Sequence, residues 1–264
     1  MEAVAAIPIA IPLRTPTASP QHARTMLREV SRAQVRCSVC VVRNKCLAAD
    51  LDEDATRALD ALAKTRIRLR KGDTLYRAGA SFTALYAIRS GSLKTVLLAE
   101  DGRDQVAGYH MPGELVGLDG IANDTHECQA IALEDSEVCA LPFEQVEQIA
   151  RECAPFQHNL HRYLSREIAR QRALMLLLGT MRADQRLAAF LLDLSERYQA
   201  RGYSPSEFIL RMTREEIGSY LGLKLETVSR LLSRLQQEGL IQVQGRVVKL
   251  LERTGLKELV GQSS

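Results

Sequence analysis

Residues 212–239, MTREEIGSYLGLKLETVSRLLSRLQQEG, contain two short helices and the turn between them. Thr213, followed three residues later by Glu216, forms a capping box, so a helix is predicted to start there. Ile217 and Leu221, four residues apart, supply its buried face, and Gly222 ends it in a tight turn. The second helix is predicted to turn Leu225, Val228, Leu231, Leu232 and Leu235 inward. Two helices joined through a glycine-containing turn make a helix-turn-helix. LIQVQGRVVKLL, residues 240–251, alternates on both sides of Gln244-Gly245 and reads as a β-hairpin, so the unit is winged.

Away from that apolar face, the second helix carries Glu226, Thr227, Ser229, Arg230 and Ser233. Such side chains suit a DNA major groove. A guanidinium can donate two bonds to guanine, a carboxylate can accept from the cytosine amine, and a serine can contact base or phosphate. Arg246 and Lys249 in the wing could reach the phosphate backbone. The rival reading is a small helical core with solvated charges. The net charge of +3 is too small to identify a partner by itself, but is compatible with nucleic acid if concentrated in one place.

Upstream, the period changes twice. From Ile67 to about Pro142, short alternating runs are divided by KGD, SGS, EDGRD, MPGE and LEDSE. LYAIRSG, SLKTVLLAE and DQVAGYHM have the length and β-branched content of strands. An antiparallel β-sandwich or jelly roll is predicted. Leu51–Thr65 reads as a helix before it, with Leu51, Ala55, Leu59 and Leu62 on one face. Beyond Phe143 come a short helix around Val146 and Ile149, a long one from about Phe156 to Gly179, and another from Ala183 to Ala200. The fold class is α+β. The predicted division is a disordered tail at 1–30, a cysteine loop at 31–50 and a β jelly roll at 51–155. A dimerisation helix at 156–181, a winged helix-turn-helix at 182–253 and a C-terminal tail at 254–264 complete it.

In the long helix, Leu160, Leu164, Ile168, Gln171, Met175 and Leu178 follow at spacings of 4, 4, 3, 4 and 3, close to a coiled-coil seam. Either the stripe packs on its own domain or two such helices pair in a homodimer. Gln171 would weaken that pairing and fix its register.

The chain has 264 residues, 46% hydrophobic and 25% charged, enough for two modest domains. No apolar run approaches the ~18 residues of a membrane span. The opening residues carry an early acid, no basic leader, and Pro8 and Pro12 within the apolar run, so no signal peptide is predicted. A cytoplasmic location is expected, in which clustered cysteines suggest metal or redox chemistry. Three of six cysteines, Cys37, Cys40 and Cys46, fall in CSVCVVRNKC. No catalytic triad, Gly-rich phosphate loop or paired-carboxylate motif is present, so an enzyme is not expected.

The order of jelly roll, long helix and winged helix-turn-helix resembles the CRP/FNR superfamily of bacterial transcription regulators. LYAIRSGSLKT, ELVGLDGI, VCALPFE, QRLAAFLLDLS, RGYSPSEFIL and IGSYLGLKLETVSRLLSR are similar to the FNR/Anr branch of anaerobic regulators, from about Cys37 to Lys249. The resemblance implies an oxygen-labile [4Fe-4S] cluster on four cysteines, three in a C-x2-C-x5-C run matched by Cys37, Cys40 and Cys46. The fourth precedes ALPFE and is Cys139, with Cys128 as its competitor. It also implies a palindrome of TTGAT-type half-sites read through Glu226, Ser229 and Arg230, a homodimer, and RNA polymerase as partner, with the turn at Glu100–Arg103 a contact. Arg36, Arg43 and Lys45 are expected to lower the thiol pKa values.

Other uses of the cysteines are zinc, which usually takes two C-x2-4-C knuckles where one is present here, a thiol redox switch, or an iron–sulfur enzyme. A cyclic nucleotide is not expected, because no arginine lies between the Gly113-Glu114-Leu115 turn and Ala130. Two features depart from the family. Gln171 stands where an aspartate is common, so repulsion between cluster-free protomers should be weaker. Val41 and Lys45 also differ, beside Cys40 and Cys46.

Overall fold

A computed structural model describes residues 28–29, 36–62, 65–98 and 104–261. Glu100–Arg103, and most of the predicted N-terminal tail, lie outside the described residues.

After two single-turn 3-10 segments, Cys37–Val39 and Arg43–Lys45, comes α1 (Glu53–Leu62). Asp52 caps it, accepting from the Ala55 amide at 2.8 Å, so the helix begins two residues later than the apolar spacing suggests. Thr65, predicted to end this helix, instead opens a strand.

Two antiparallel sheets build the roll. One runs β1 (Arg28–Glu29), β2 (Thr65–Leu69), β9 (Ser136–Pro142), β4 (Ala84–Ser90), β7 (Leu115–Val116). The other runs β3 (Thr74–Tyr76), β8 (Cys128–Ala132), β5 (Leu93–Leu98), β6 (Asp104–His110). Alternation along the strands explains the packing: Leu85, Ile88, Leu93, Val116, Ala130 and Val138 are buried, and most of them join the core of the roll. Among the described residues, the three runs proposed as strands supply most of β4, β5 and β6.

Helix α2 (Phe143–Glu152) leads into α3 (Ala154–Thr180), which has Pro155 in its first turn, where a missing amide donor costs nothing. Then come α4 (Ala183–Gln199), β10 (Glu207–Ile209), α5 (Arg214–Leu221), α6 (Leu225–Gln237), β11 (Ile241–Gln244), β12 (Val247–Leu250) and α7 (Arg253–Gly261). Strands β10, β12 and β11 form a third small sheet. Helix α7 occupies the predicted C-terminal tail. Its Leu256 is fully buried in the C-terminal core, and α7 packs on α4, so this end of the chain is part of the domain.

The two halves dock. Val96, Val106, Tyr109 and Met111 of the roll share one buried cluster with Leu187, Leu191, Ile217 and Leu221. Ser219 Oγ accepts from the Val106 amide at 2.9 Å, and Arg211 pairs with Glu134 at 3.0 Å. Glu114, at the tight turn before β7, is buried and meets Arg170 of α3 at 3.2 Å, Arg197 of α4 at 2.8 Å and Arg201 at 2.6 Å. Burial alone would raise the Glu114 pKa. Arg197, Arg170 and Arg201 overcome it and hold the carboxylate well below the ordinary range.

Candidate functional site: a four-cysteine cavity and a helix-turn-helix

Cys37, Cys40 and Cys46 from the N-terminal loop and Cys139 from β9 line one cavity. Its remaining walls are mostly apolar: Val42, Leu47, Ala48, Leu59, Ala87, Ile88 and Leu141, with Arg43 and Arg89. Backbone turns shape the loop. The Cys40 amide donates to Cys37 O at 3.2 Å, the Cys46 amide to Arg43 O at 3.1 Å, and the Ala49 amide to Cys46 O at 3.1 Å. Asp60 of α1 accepts from the Cys37 amide and from Ser38 Oγ, fixing the first turn to the helix. Leu47, Ala48, Leu51 and Leu59 then bury against α2 and α3, at roughly 1.5–3 kcal/mol for each large side chain.

The charges around the thiols differ from the sequence expectation. Arg43 points its guanidinium at Leu51 O (2.7 Å), Ala48 O (3.3 Å) and Thr56 Oγ1 (3.0 Å), so it organises backbone. Lys45 packs over Gly113, where a Cβ would sit 2.6 Å from Lys45 Cβ and where φ is +88°. The cations that bear on Cys139 are Arg66 and Arg89, which bracket Glu137 at 3.2 and 3.3 Å. Arg66 is the register partner of Cys139 on β2, a relationship that appears only once the strands are paired. Contrary to expectation, the pKa values of Cys37, Cys46 and Cys139 go up. Burial raises Cys46 to about 11 and Cys139 to about 12, and pushes Cys37 higher still, with the neighbouring sulfurs adding to the rise. Desolvation outweighs the nearby cations.

Cys128 lies elsewhere. Its thiol donates to Asp119 Oδ2 at 3.2 Å, and it lines a second cavity of about 450 Å3 between the roll and α3. Asp119, Glu127 and Glu167 also line that space, with His110, Leu164, Ile168 and Gln171, and among the described residues no lysine or arginine does. Among the described residues no three His, Cys, Asp or Glu side chains converge to hold a single metal ion.

The predicted seam divides into parts. Leu160 is half-buried against the core beside the cysteines, and Leu164 is half-buried and lines the second cavity. A helix stripe can serve two surfaces, because its first turns cross the roll before the rest emerges. Ile168 is 53% and Met175 72% exposed, and Leu176, which the spacing did not select, is also exposed. Gln171 donates to Glu167 at 2.9 Å on the exposed face, and Leu178 is half-buried beside Gly222.

In the C-terminal domain the capping box forms: the Glu216 amide donates to Thr213 Oγ1 at 3.2 Å and the Thr213 amide to Glu216 Oε2 at 2.6 Å. Gly222 closes α5 at φ 64°, in the left-handed region. Val228, Leu232 and Leu235 hold α6 down, leaving Glu226, Arg230 and Ser233 exposed and Thr227 and Ser229 half-buried. Ser233 Oγ donates to Ser229 O at 3.1 Å. Leu225, expected inward, is 44% exposed, because it starts α6 and projects beyond the core one turn ahead of Val228. Arg246 stands exposed in the two-residue turn between β11 and β12, its guanidinium 3.5 Å from Arg211 O.

Comparison with known proteins follows this division. The cyclic nucleotide-binding domain family matches residues 66–153 and the Crp-like helix-turn-helix family residues 185–259. The chain is 47% identical over 228 residues to transcriptional regulatory protein btr of Bordetella pertussis, covering 86% of this chain and 94% of that protein. It is 43% identical to transcriptional activator protein Anr of Pseudomonas protegens, covering 87% of this chain and 94% of that protein. Among solved structures, FixK2 from Bradyrhizobium japonicum superposes with a TM-score of 0.69 at 31% identity, over 76% of this chain and 98% of that one. Among the described residues no helix is long and apolar enough to cross a membrane. A roll, a connecting helix and a winged reader, each with relatives among transcription regulators, leave one assignment: the chain belongs to the CRP/FNR family of transcription regulators and is similar to its FNR/Anr-type anaerobic members.

Proposed function

We propose that this protein is an oxygen-responsive transcription regulator that holds a [4Fe-4S] cluster on Cys37, Cys40, Cys46 and Cys139. The observation carrying this reading is that three loop cysteines and one strand cysteine, about ninety residues away in sequence, line one largely apolar cavity. That donor set suits a cubane, whose four irons each take a thiolate at a different corner. It suits zinc less, because structural zinc sites usually take two C-x2-4-C knuckles and one is present here. Ligation would require all four thiols to lose their protons, so cluster binding and loop structure would be linked. A cluster bound there would supply the sensing chemistry through its degradation by oxygen.

The chain's own residues do the rest. Ligation would tie the loop to β9 and so fix the segment 46–51 against α3. That bias favours pairing of two chains through the exposed Ile168, Met175 and Leu176 side chains, with Gln171 between them. A few kcal/mol is enough for such a switch. The pair would set two α6 helices one DNA turn apart, matching a palindrome of TTGAT-type half-sites. Glu226, Thr227, Ser229, Arg230 and Ser233 would meet base edges and nearby phosphates, and Arg246 the backbone. Recruitment of RNA polymerase at the promoter completes the proposal, in the cytoplasm where unligated thiols stay reduced. No cyclic nucleotide is assigned to the second cavity, since among the described residues its acidic lining offers no cation for a phosphate.

Operator binding tests this directly. Protein prepared without air should shift a TTGAT palindrome in preference to scrambled DNA, and exposure to air should weaken that binding. Equal affinity before and after air would contradict the proposal.

A further inference from the structure

Three side chains of α3 face the rest of the chain in one row: Asn159, Tyr163 one turn on, and Arg170 two turns beyond. At 100° per residue they lie within about 40° of one another around the helix. Tyr163 Oη accepts from the Leu115 amide at 2.6 Å, and Arg170 meets Glu114 at 3.2 Å, so both grip the turn leading into β7. Asn159 reaches different ground. Its side-chain amide donates to Ala49 O at 2.6 Å and to Leu47 O at 3.3 Å, in the segment directly after Cys46.

That segment is rigidly tied to the cysteine. The Ala49 amide donates to Cys46 O at 3.1 Å, so Cys46 and both acceptors of Asn159 share one turn. Leu47 and Ala48 are fully buried in the core that contains Phe156. The turn cannot slide along the helix without unpacking them. A displacement of Cys46 therefore removes the acceptors of Asn159, and α3 is released at its N-terminal end while Tyr163 and Arg170 still hold the roll.

We infer that Asn159 is a positioning residue that transmits the state of Cys46 to the long helix, and through it to the pairing surface that starts near Ile168. This inference rests on the proposed cluster-dependent association. Asn159 touches no sulfur and lies outside the cavity, so its role is separable from ligation.

The test uses the full-length chain prepared without air, with Asn159→Ala and Asn159→Asp. Asn159→Ala removes the donor, and Asn159→Asp replaces it with a carboxylate facing two carbonyl oxygens. Iron and acid-labile sulfide are assayed on each protein, and self-association is measured by sedimentation before and after air. Both variants should load iron as the wild type does. The ratio of association constants, loaded over air-exposed, should fall by about tenfold, the scale of two neutral hydrogen bonds. A merely structural role would weaken both forms alike and leave the ratio unchanged. Thermal unfolding of the air-exposed proteins establishes that the variants fold. An unchanged ratio, or a ratio that falls only in step with iron content, overturns the assignment of Asn159. Wild-type protein without iron, or without any change on air exposure, would instead remove the cluster reading on which it rests.

Discussion

Lys94 Nζ on β5 lies 2.6 Å from Glu216 Oε1 at the start of α5, and the other oxygen of the same carboxylate accepts from the Thr213 amide. One side chain thus caps the first helix of the DNA reader and fastens it to the β-roll. Burial opposes ionisation of Glu216, and the Lys94 and Thr213 hydrogen bonds reverse that, holding its pKa below the ordinary value.

Glu216→Gln should keep the capping contact but lose the ion pair, and Lys94→Ala should remove the pair alone. Because both partners are mostly buried, we expect each change to destabilise the docked domains by about 1–3 kcal/mol, the scale of a charged hydrogen bond. Thermal unfolding reads the loss. Faster proteolysis between 200 and 212 in both variants would show that the reader has loosened, and unaltered cleavage would argue against a docking role.

Glu114 makes a pH prediction. Its folded pKa is depressed, so the unfolded chain binds the proton more readily and stability rises with pH. The contribution is fully present above an unfolded value of about 4.3 and is lost as pH falls through the lower folded value. This contribution should therefore begin to fall near pH ~4.3 and keep falling down to the lower folded value. Glu114→Gln should be destabilised by about 3–5 kcal/mol at neutral pH, because Arg170, Arg197 and Arg201 lose their shared partner. It should also show a flatter acid limb.

Under the proposed function, recognition divides between α6 and the wing. Arg230→Ala is expected to cost about 1–3 kcal/mol on the preferred operator and to relax preference at one base pair. Arg246→Ala should weaken all sequences alike and reduce the slope of log affinity against log salt by about one. Titrations at several salt concentrations separate the two.

Much of this was legible in the sequence because local chemistry decided it. The capping box at Thr213 and Glu216 and the glycine at 222 form as their spacing requires. Strand alternation likewise located β4, β5 and β6. What stayed hidden depends on distant partners. Asn159 looks like any polar helix residue until Leu47 and Ala49 are folded against it. Glu114 gives no hint in sequence that three arginines, from 170 to 201, will converge on it. Leu160 reads as part of a pairing seam because spacing does not say which turns of a helix cross its own domain. The cations beside the cysteines misled for the same reason: Arg43 turns to backbone, and burial sets the thiols.

Under the proposed pairing, Gln171 would bear on association without a cluster. It is exposed and hydrogen-bonded to the largely buried Glu167, so Gln171→Asp would set a second carboxylate beside Glu167 at the edge of the proposed pairing surface. Across a two-fold axis that repulsion acts twice. We expect residual self-association of air-exposed wild type at micromolar concentration, and none in Gln171→Asp. Sedimentation of both proteins after air exposure provides the check.

Iron and acid-labile sulfide in oxygen-free preparations test the central claim most directly. The wild type and Cys128→Ala should carry about four of each per chain, the composition of a cubane, and Cys139→Ala should carry far less. Iron-free wild-type protein, or full loading in Cys139→Ala, would contradict the account.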